Sequence, residues 1–398
     1  GAAAISVLTE KNYFHGSLED LVNTAETAGT ETAVLRKDFL LEPEEADISY
    51  RCGADAVLLI ARIHDSVKLS SIAERVFSLG IAVLLEIRSY DDCKKAYEIM
   101  KLAGRLSCSD SLVLGINARD LSTFRIDPLM PARIRYEMEE YCLTRGNIIP
   151  MPPFIAESGI SNEAEARTAG GMKFRGILVG EAAARNPEEA EKLVNAFVRA
   201  GKDKQSMLCA EFWIKTACRI ERRNSDGNAY APLVKICGIT RSEDACAAAE
   251  EGADMLGFIF SDGSKRCVQS DTAEVIIDRI REIYDKEQCP LFIGVITNPL
   301  SFEGKEAIEL VHKGVLDGIQ YHGCTADEAL PGYSAVRMND SEEVNIVRDM
   351  LQNGRVRVLT DAYKKGVPGG TGISVSEDIT KKISSIGPVC LAGGITAV

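Results

Sequence analysis

Ala56-Val57-Leu58-Leu59-Ile60 and Ile81-Ala82-Val83-Leu84-Leu85-Glu86-Ile87 are two nearly continuous apolar runs joined by a charged amphipathic stretch. A run that is apolar at every position suits a strand buried on both faces, and such strands belong to parallel sheets covered by helices. Moving outward, similar runs occupy 4–8, 33–35, 112–116, 154–156 and 176–179, which makes seven in the first half. The alternation is βα, repeated. It predicts either a doubly wound sheet or a (βα)8 barrel, and the length favours the barrel. Asn186-Pro187-Glu188-Glu189 marks a helix start after the seventh run, with an N-cap, a proline at the first helical position and acids in the first turn. An amphipathic piece near 212–220 and the polar stretch 221–228 follow, ending at Pro232. Beyond it the alternation restarts at 233–236, 255–260, 291–296, 318–321, 335–337, 356–359 and 389–391.

The reading is two tandem (βα)8 barrels over 1–205 and 231–398, joined by a linker at 206–230. Seven strands per half leave each barrel one short. The chain opens at Gly1 inside an apolar run and stops at Val398 shortly after Gly393-Gly394, so the first barrel is expected to lack its first strand and the second its last.

The 398 residues fit two or three domains at about 150 residues each. With 46 Lys plus Arg against 59 Asp plus Glu, the net charge of −13 argues against a nucleic-acid binder but leaves room for a local phosphate pocket. No apolar run approaches the length of a membrane span, and no basic leader precedes one. Twelve cysteines are scattered without a CxxC pair, which points to free thiols in a cytoplasmic protein rather than to zinc or disulfides.

In such barrels chemistry sits at the C-terminal strand ends and the loops after them. In the first half these positions hold Lys37, Asp38, Glu86, Asn117, Arg119, Glu157 and Ser158. One polar residue after a strand is ordinarily a solvated loop residue; four strand ends in register form a cluster. Gly159 and Gly180 follow the last two strands, where backbone N–H groups can approach a phosphate. In the second half Cys237 ends a strand before a glycine and a helix, a position that favours a thiolate. Asp361 follows the strand at 356–359, ahead of Gly369-Gly370-Thr371-Gly372.

Four stretches of the first half, Ala4-Ile5-Ser6-Val7-Leu8-Thr9-Glu10, Val34-Leu35-Arg36-Lys37-Asp38-Phe39, Gly115-Ile116-Asn117-Ala118-Arg119-Asp120-Leu121 and Ala156-Glu157-Ser158-Gly159-Ile160, resemble indole-3-glycerol-phosphate synthases. The resemblance implies closure of an indole ring on a carboxyphenylamino-deoxyribulose phosphate, with loss of carbon dioxide and water. It implies that Lys37 is the proton donor to the ring-closing carbonyl and Glu86 its partner acid or base. Asn117, Arg119 and Glu157 would bind and orient substrate, and Ser158, Gly159, Gly180 and Glu181 would form the phosphate loops. The family's first strand, bearing a Glu and a Lys two residues later, has no counterpart and would precede Gly1.

The second half resembles phosphoribosylanthranilate isomerases through Val234-Lys235-Ile236-Cys237-Gly238-Ile239-Thr240, Ser264-Lys265-Arg266, Gln320-Tyr321-His322-Gly323, Asp361 with the 369–372 loop, and Leu391-Ala392-Gly393-Gly394. This implies an Amadori rearrangement with Cys237 as general base and Asp361 as general acid. It also implies Arg266 as ligand of the anthranilate carboxylate, His322 as a binding residue, and Gly370, Thr371, Gly372, Gly393 and Gly394 as phosphate contacts. Ile373-Ser374-Val375 replace the aromatic and acidic residues usual after that loop. The expected protein is a bifunctional enzyme of tryptophan biosynthesis built from TIM barrels, acting on phosphosugar-anthranilate substrates without metal or organic cofactor. A histidine-pathway aminoaldose isomerase, which would carry Asp at 237, and a non-catalytic phosphosugar-binding fragment are the alternatives.

Overall fold

A computed structural model describes residues 2–120, 123–146, 149–225, 232–338, 342–362 and 376–395. The chain divides into two compact units.

The first unit, Gly1–Asp120 with Met130–Ser158 and Phe174–Leu178, holds one parallel sheet. Its strands are β1 (Ala4–Leu8), β2 (Ala33–Lys37), β3 (Ala56–Ile60), β4 (Ala82–Ile87), β5 (Leu112–Asn117), β6 (Phe154–Glu157) and β7 (Gly176–Leu178), in sequential order. The second unit, Leu121–Leu129 with Gly159–Lys173 and Val179–Val398, holds the other. Its strands are β8 (Lys235–Cys237), β9 (Met255–Phe260), β10 (Leu291–Ile296), β11 (Gly318–His322), β12 (Gly332–Met338), β13 (Val358–Ala362) and β14 (Cys390–Ala392), again in sequence and parallel. Each apolar run of the sequence is a strand. The βα periodicity is thus two seven-stranded α/β sheets of barrel type.

Both sheets are curled. Neighbouring strands lie about 4.8 Å apart, so a flat sheet would separate β2 from β6 by roughly 19 Å. Lys37 at the end of β2 nevertheless reaches Glu157 at the end of β6, Nζ to Oε2 3.5 Å. In the second sheet Lys235 of β8 reaches Gln320 of β11, Nζ to Oε1 2.6 Å. Among the described residues β1, β7, β8 and β14 each have a single neighbour, and Ile5, Leu8, Ile236 and Leu391 on these edges are exposed.

Inside the first sheet Leu35, Leu58, Ile60 and Leu84 form an apolar plug with Val113 and Ile155 against it. Burying each such side chain contributes roughly 1.5–3 kcal/mol. Side chains two residues apart on a strand share a face, so Lys37, Glu86 and Glu157 sit one layer above Leu35, Leu84 and Ile155. The apolar plug is therefore the floor of the polar cluster.

The amphipathic piece at 212–220 lies within a helix, Lys204–Ser225, which packs on the second sheet. Phe212 stacks on Tyr333 at 6.3 Å and lies over Gly318, where a Cβ would come within 3.2 Å of the ring. Lys215 pairs with Asp317 at 2.9 Å and Arg223 with Asp254 at 2.7 Å. These two carboxylates also accept the backbone N–H of Phe292 and Val234, tying the helix to the strand starts. Among the described residues no helix is long and apolar enough to cross a membrane.

Candidate active sites

Lys37, Glu86, Asn117 and Glu157 are the last or penultimate residues of their strands rather than loop residues. The parallel ladder continues through them: Thr9 N–H donates to the Lys37 carbonyl and Ala118 N–H to that of Glu157. Their side chains therefore keep the inward alternation of the strand, which brings four strands' polar groups to one mouth.

Glu157 is the centre of this cluster. It is 1% exposed, and its Oε1 has no hydrogen-bond partner. Burial pushes its carboxyl up to about 7; the Lys37 ammonium partly offsets that, and the nearby Glu86 carboxylate adds to it. Asn117 Nδ2 donates to Glu86 Oε2 at 3.2 Å, and its Oδ1 accepts the Arg119 N–H at 2.9 Å, which fixes the turn that launches Arg119. The half-buried Arg119 also has its carbonyl held by Arg88 at 2.8 Å.

Glu157 lies over a gap in β5. A Cβ on Gly115 would fall 1.9 Å from Glu157 Oε1, so only the absence of a side chain there admits the carboxyl. On the other flank, buried Arg36 orders the chain around Lys37. Its guanidinium donates to Thr9 Oγ1 at 3.0 Å, Ser49 Oγ at 3.0 Å and Asp38 Oδ2 at 2.9 Å. Burial raises the Asp38 carboxyl, but hydrogen bonds from Thr9 and Arg36 more than offset this and hold it below the usual carboxylate range.

The loop after β6 turns through two left-handed residues, Ser158 at φ 63° and Gly159 at φ 68°. Gly180 caps the five-residue helix Glu181–Arg185. Glu181 is exposed and paired with Arg185 at 2.5 Å, so its side chain is spent on the surface. Gly159, Gly180 and Glu181 belong to the second unit, unlike the residues of the Glu157 cluster.

In the second unit Cys237 ends β8, and Lys235, two residues earlier on the same face, places Nζ 3.6 Å from its Sγ. Gly257 lies opposite on β9, where a Cβ would come within 2.8 Å of that sulfur. Arg266 donates to the Cys237 carbonyl at 3.0 Å and packs on Gly238, which adopts φ 88°. Gln320 Oε1 accepts Lys235 and, at 3.4 Å, the Tyr333 hydroxyl. Gln320 Nε2 lies 3.4 Å from His322 Nδ1, Arg337 donates to His322 Nε2 at 3.1 Å, and that nitrogen lies 3.7 Å from Asp361 Oδ2. A continuous polar chain thus runs from Cys237 on β8 to Asp361 on β13, across the curl. Burial, with Arg337 beside it, holds His322 below its ordinary range although Asp361 opposes this, so the imidazole is neutral near pH 7.

Gly393 and Gly394 follow β14 with φ 89° and 62°. Gly370, Thr371 and Gly372 lie outside the described residues. Sequence reasoning did not single out Gly115, Gly257, Lys235 or Gln320. A glycine inside a strand is a sign of close approach, and Lys235 shares Cys237's face by spacing alone; both signals were present.

Comparison with known proteins divides the chain between its two sheets. Residues 1–196 match the family model described as indole-3-glycerol phosphate synthase, and residues 234–398 that described as N-(5'-phosphoribosyl)anthranilate isomerase. A tryptophan biosynthesis protein of Phytophthora nicotianae is 27% identical over 445 residues, covering 100% of this chain and 77% of that protein. A multifunctional tryptophan biosynthesis protein of Schizosaccharomyces pombe is 28% identical over 431 residues, covering 100% of this chain and 50% of that protein. An indole-3-glycerol phosphate synthase of Mycolicibacterium smegmatis is 35% identical over 181 residues, covering 46% of this chain and 58% of that protein. The chain thus spans about half the length of its yeast relative.

Proposed function

Because the chain belongs to the indole-3-glycerol phosphate synthase family in its first half and to the phosphoribosylanthranilate isomerase family in its second, we propose that it carries two steps of tryptophan biosynthesis, the second half making what the first half uses. In the second half, Cys237 removes the proton from C2 of the ring-opening aminoaldose. Asp361 delivers a proton to the furanose ring oxygen, so that an aminoketose results with no net change in atoms. The two tasks need a base and an acid on opposite sides of the sugar, and the observation that carries the reading is the polar chain joining Cys237 to Asp361 across the mouth. Arg266, anchored beside Cys237, takes the anthranilate carboxylate, with His322 lining the sugar and Gly393 and Gly394 taking the phosphate.

In the first half, Lys37 protonates the carbonyl oxygen at which the ring closes, carbon dioxide leaves, and Glu86 manages the protons of the dehydration. Glu157 holds Lys37 in place, Asn117 aims Glu86 and Arg119, and the turn at Ser158 takes the phosphate. Fixed donors of this kind stabilise developing oxyanions without a metal. The free cysteines suit the cytoplasm.

The test for the isomerase half is the loss of phosphoribosylanthranilate fluorescence on turnover. Cys237→Ser and Asp361→Ala should each lower the rate on the order of 100-fold or more; unchanged rates sink the assignment. For the synthase half, Lys37→Ala should cost a similar factor in indole-glycerol-phosphate formation, and a rate indifferent to Lys37 refutes that role.

A further inference from the structure

We infer that Lys235, held by Gln320, is the counter-cation of the Cys237 thiolate and thereby a positioning residue for the isomerase base. The inference rests on the isomerase reading above and adds to it the group that makes the sulfur a base. Lys235 and Cys237 point to the same interior face of β8, with Nζ 3.6 Å from Sγ. The ammonium is not a wandering surface charge: Gln320 Oε1 accepts it at 2.6 Å, and the same oxygen takes the Tyr333 hydroxyl at 3.4 Å. Burial keeps that phenol neutral and donating. The opposite strand leaves room for the pair, since a Cβ on Gly257 would come within 2.8 Å of Sγ and 3.1 Å of Lys235 Nζ.

Chemistry supplies the reason for such a pair. A thiol abstracts a carbon-bound proton only as thiolate, and a cation within about 4 Å favours that form by a factor of ten or more. When C2 gives up its proton the S–H bond forms, the ammonium keeps its three protons, and Gln320 still holds it. The other groups facing this corner do not replace it. Arg266, from the segment after β9, spends its contact on the Cys237 carbonyl rather than on the sulfur. Tyr333 from β12 is neutral, as is His322 from β11, which burial and its cationic neighbours Arg337 and Lys235 depress. Cys390 of β14 is exposed as a residue, but desolvation at its sulfur pushes the thiol up, away from ionisation, against the pull of Arg357 and Lys235.

The test is alkylation of the native full-length chain by iodoacetamide, read at each cysteine by peptide mass spectrometry. Half-buried Cys108, in the first unit, serves as the internal reference. In the wild-type chain Cys237 should be alkylated faster than Cys108 near pH 7. Lys235→Met should lower the Cys237 to Cys108 ratio near pH 7 about tenfold, while Lys235→Arg should keep the ratio within about threefold. A ratio unchanged in Lys235→Met overturns the inference. So does a wild-type Cys237 rate no greater than that of Cys108, a measurement that needs no variant to fold. Retained isomerase turnover in Cys237→Ser would instead overturn the isomerase reading, whatever the alkylation shows, so the two failures are distinguishable.

Discussion

In Glu157→Gln the buried carboxyl above β5 becomes an amide of nearly the same shape that cannot ionise. The wild-type carboxyl titrates at about 7 instead of 4.5, burial being the largest cause. A folded-state value above the unfolded one means that the folded chain holds a proton the unfolded chain has released. Unfolding free energy therefore falls as pH rises from about 4.5 to about 7, by about 1.4 kcal/mol per unit, and is flat above. The full loss is about 3 kcal/mol. The amide escapes it, so the variant's advantage over wild type should be under about 1 kcal/mol at pH 5 and about 3 kcal/mol at pH 8. With a urea slope of about 2–3 kcal/mol per molar, this is roughly a 1 M rise in midpoint for the unit holding β1–β7, followed by far-UV circular dichroism. Its direction is the reverse of what removing a buried ion-pair partner ordinarily does. A midpoint shift equal at both pH values, or a variant less stable at pH 8, refutes the account of Glu157 as a carboxyl whose ionisation is opposed by burial.

Lys37→Met should leave the urea midpoint nearly unchanged near pH 6, where Glu157 is mostly protonated, and lower it increasingly above about pH 7; a pH-independent loss contradicts this. Arg36→Met strips half-buried Asp38 of its cation and leaves Thr9 and Ser49 without their donor, which should cost about 1–3 kcal/mol in the same assay at neutral pH. Gly115→Ala puts a methyl group 1.9 Å from Glu157 Oε1 with Leu84 at 3.1 Å behind it, and the overpacking should cost about 1–3 kcal/mol. Gly257→Ala crowds Cys237 and Lys235 together and should lower isomerase turnover on the order of 100-fold, as measured by substrate fluorescence.

The strands were legible because their signal is local: each apolar run of the sequence, from Ala56-Val57-Leu58-Leu59-Ile60 to the short piece near Cys390, is a strand within three residues of its expected ends. Lys37, Glu86, Asn117, Glu157, Cys237 and Asp361 were legible as strand-end residues, and ladder bonds carry them one or two positions further into the strands than read. What spacing could not give is which side chain passes over which neighbour. Gly115 and Gly257 matter through atoms they lack, and Lys235 matters through Gln320, 85 positions away. The segment assigned to the linker is helical through Ser225 because Arg222 and Arg223 find Glu287 and Asp254, partners visible only in space.

Trp213, the single tryptophan of the chain, sits buried in the helix Lys204–Ser225 with its ring 4.8 Å from that of Phe212. Light absorbed at the red edge of the indole band is therefore emitted from the second unit alone. Ellipticity sums over every helix of the chain, so an offset between indole emission and ellipticity marks denaturation that leaves the surroundings of Trp213 in place.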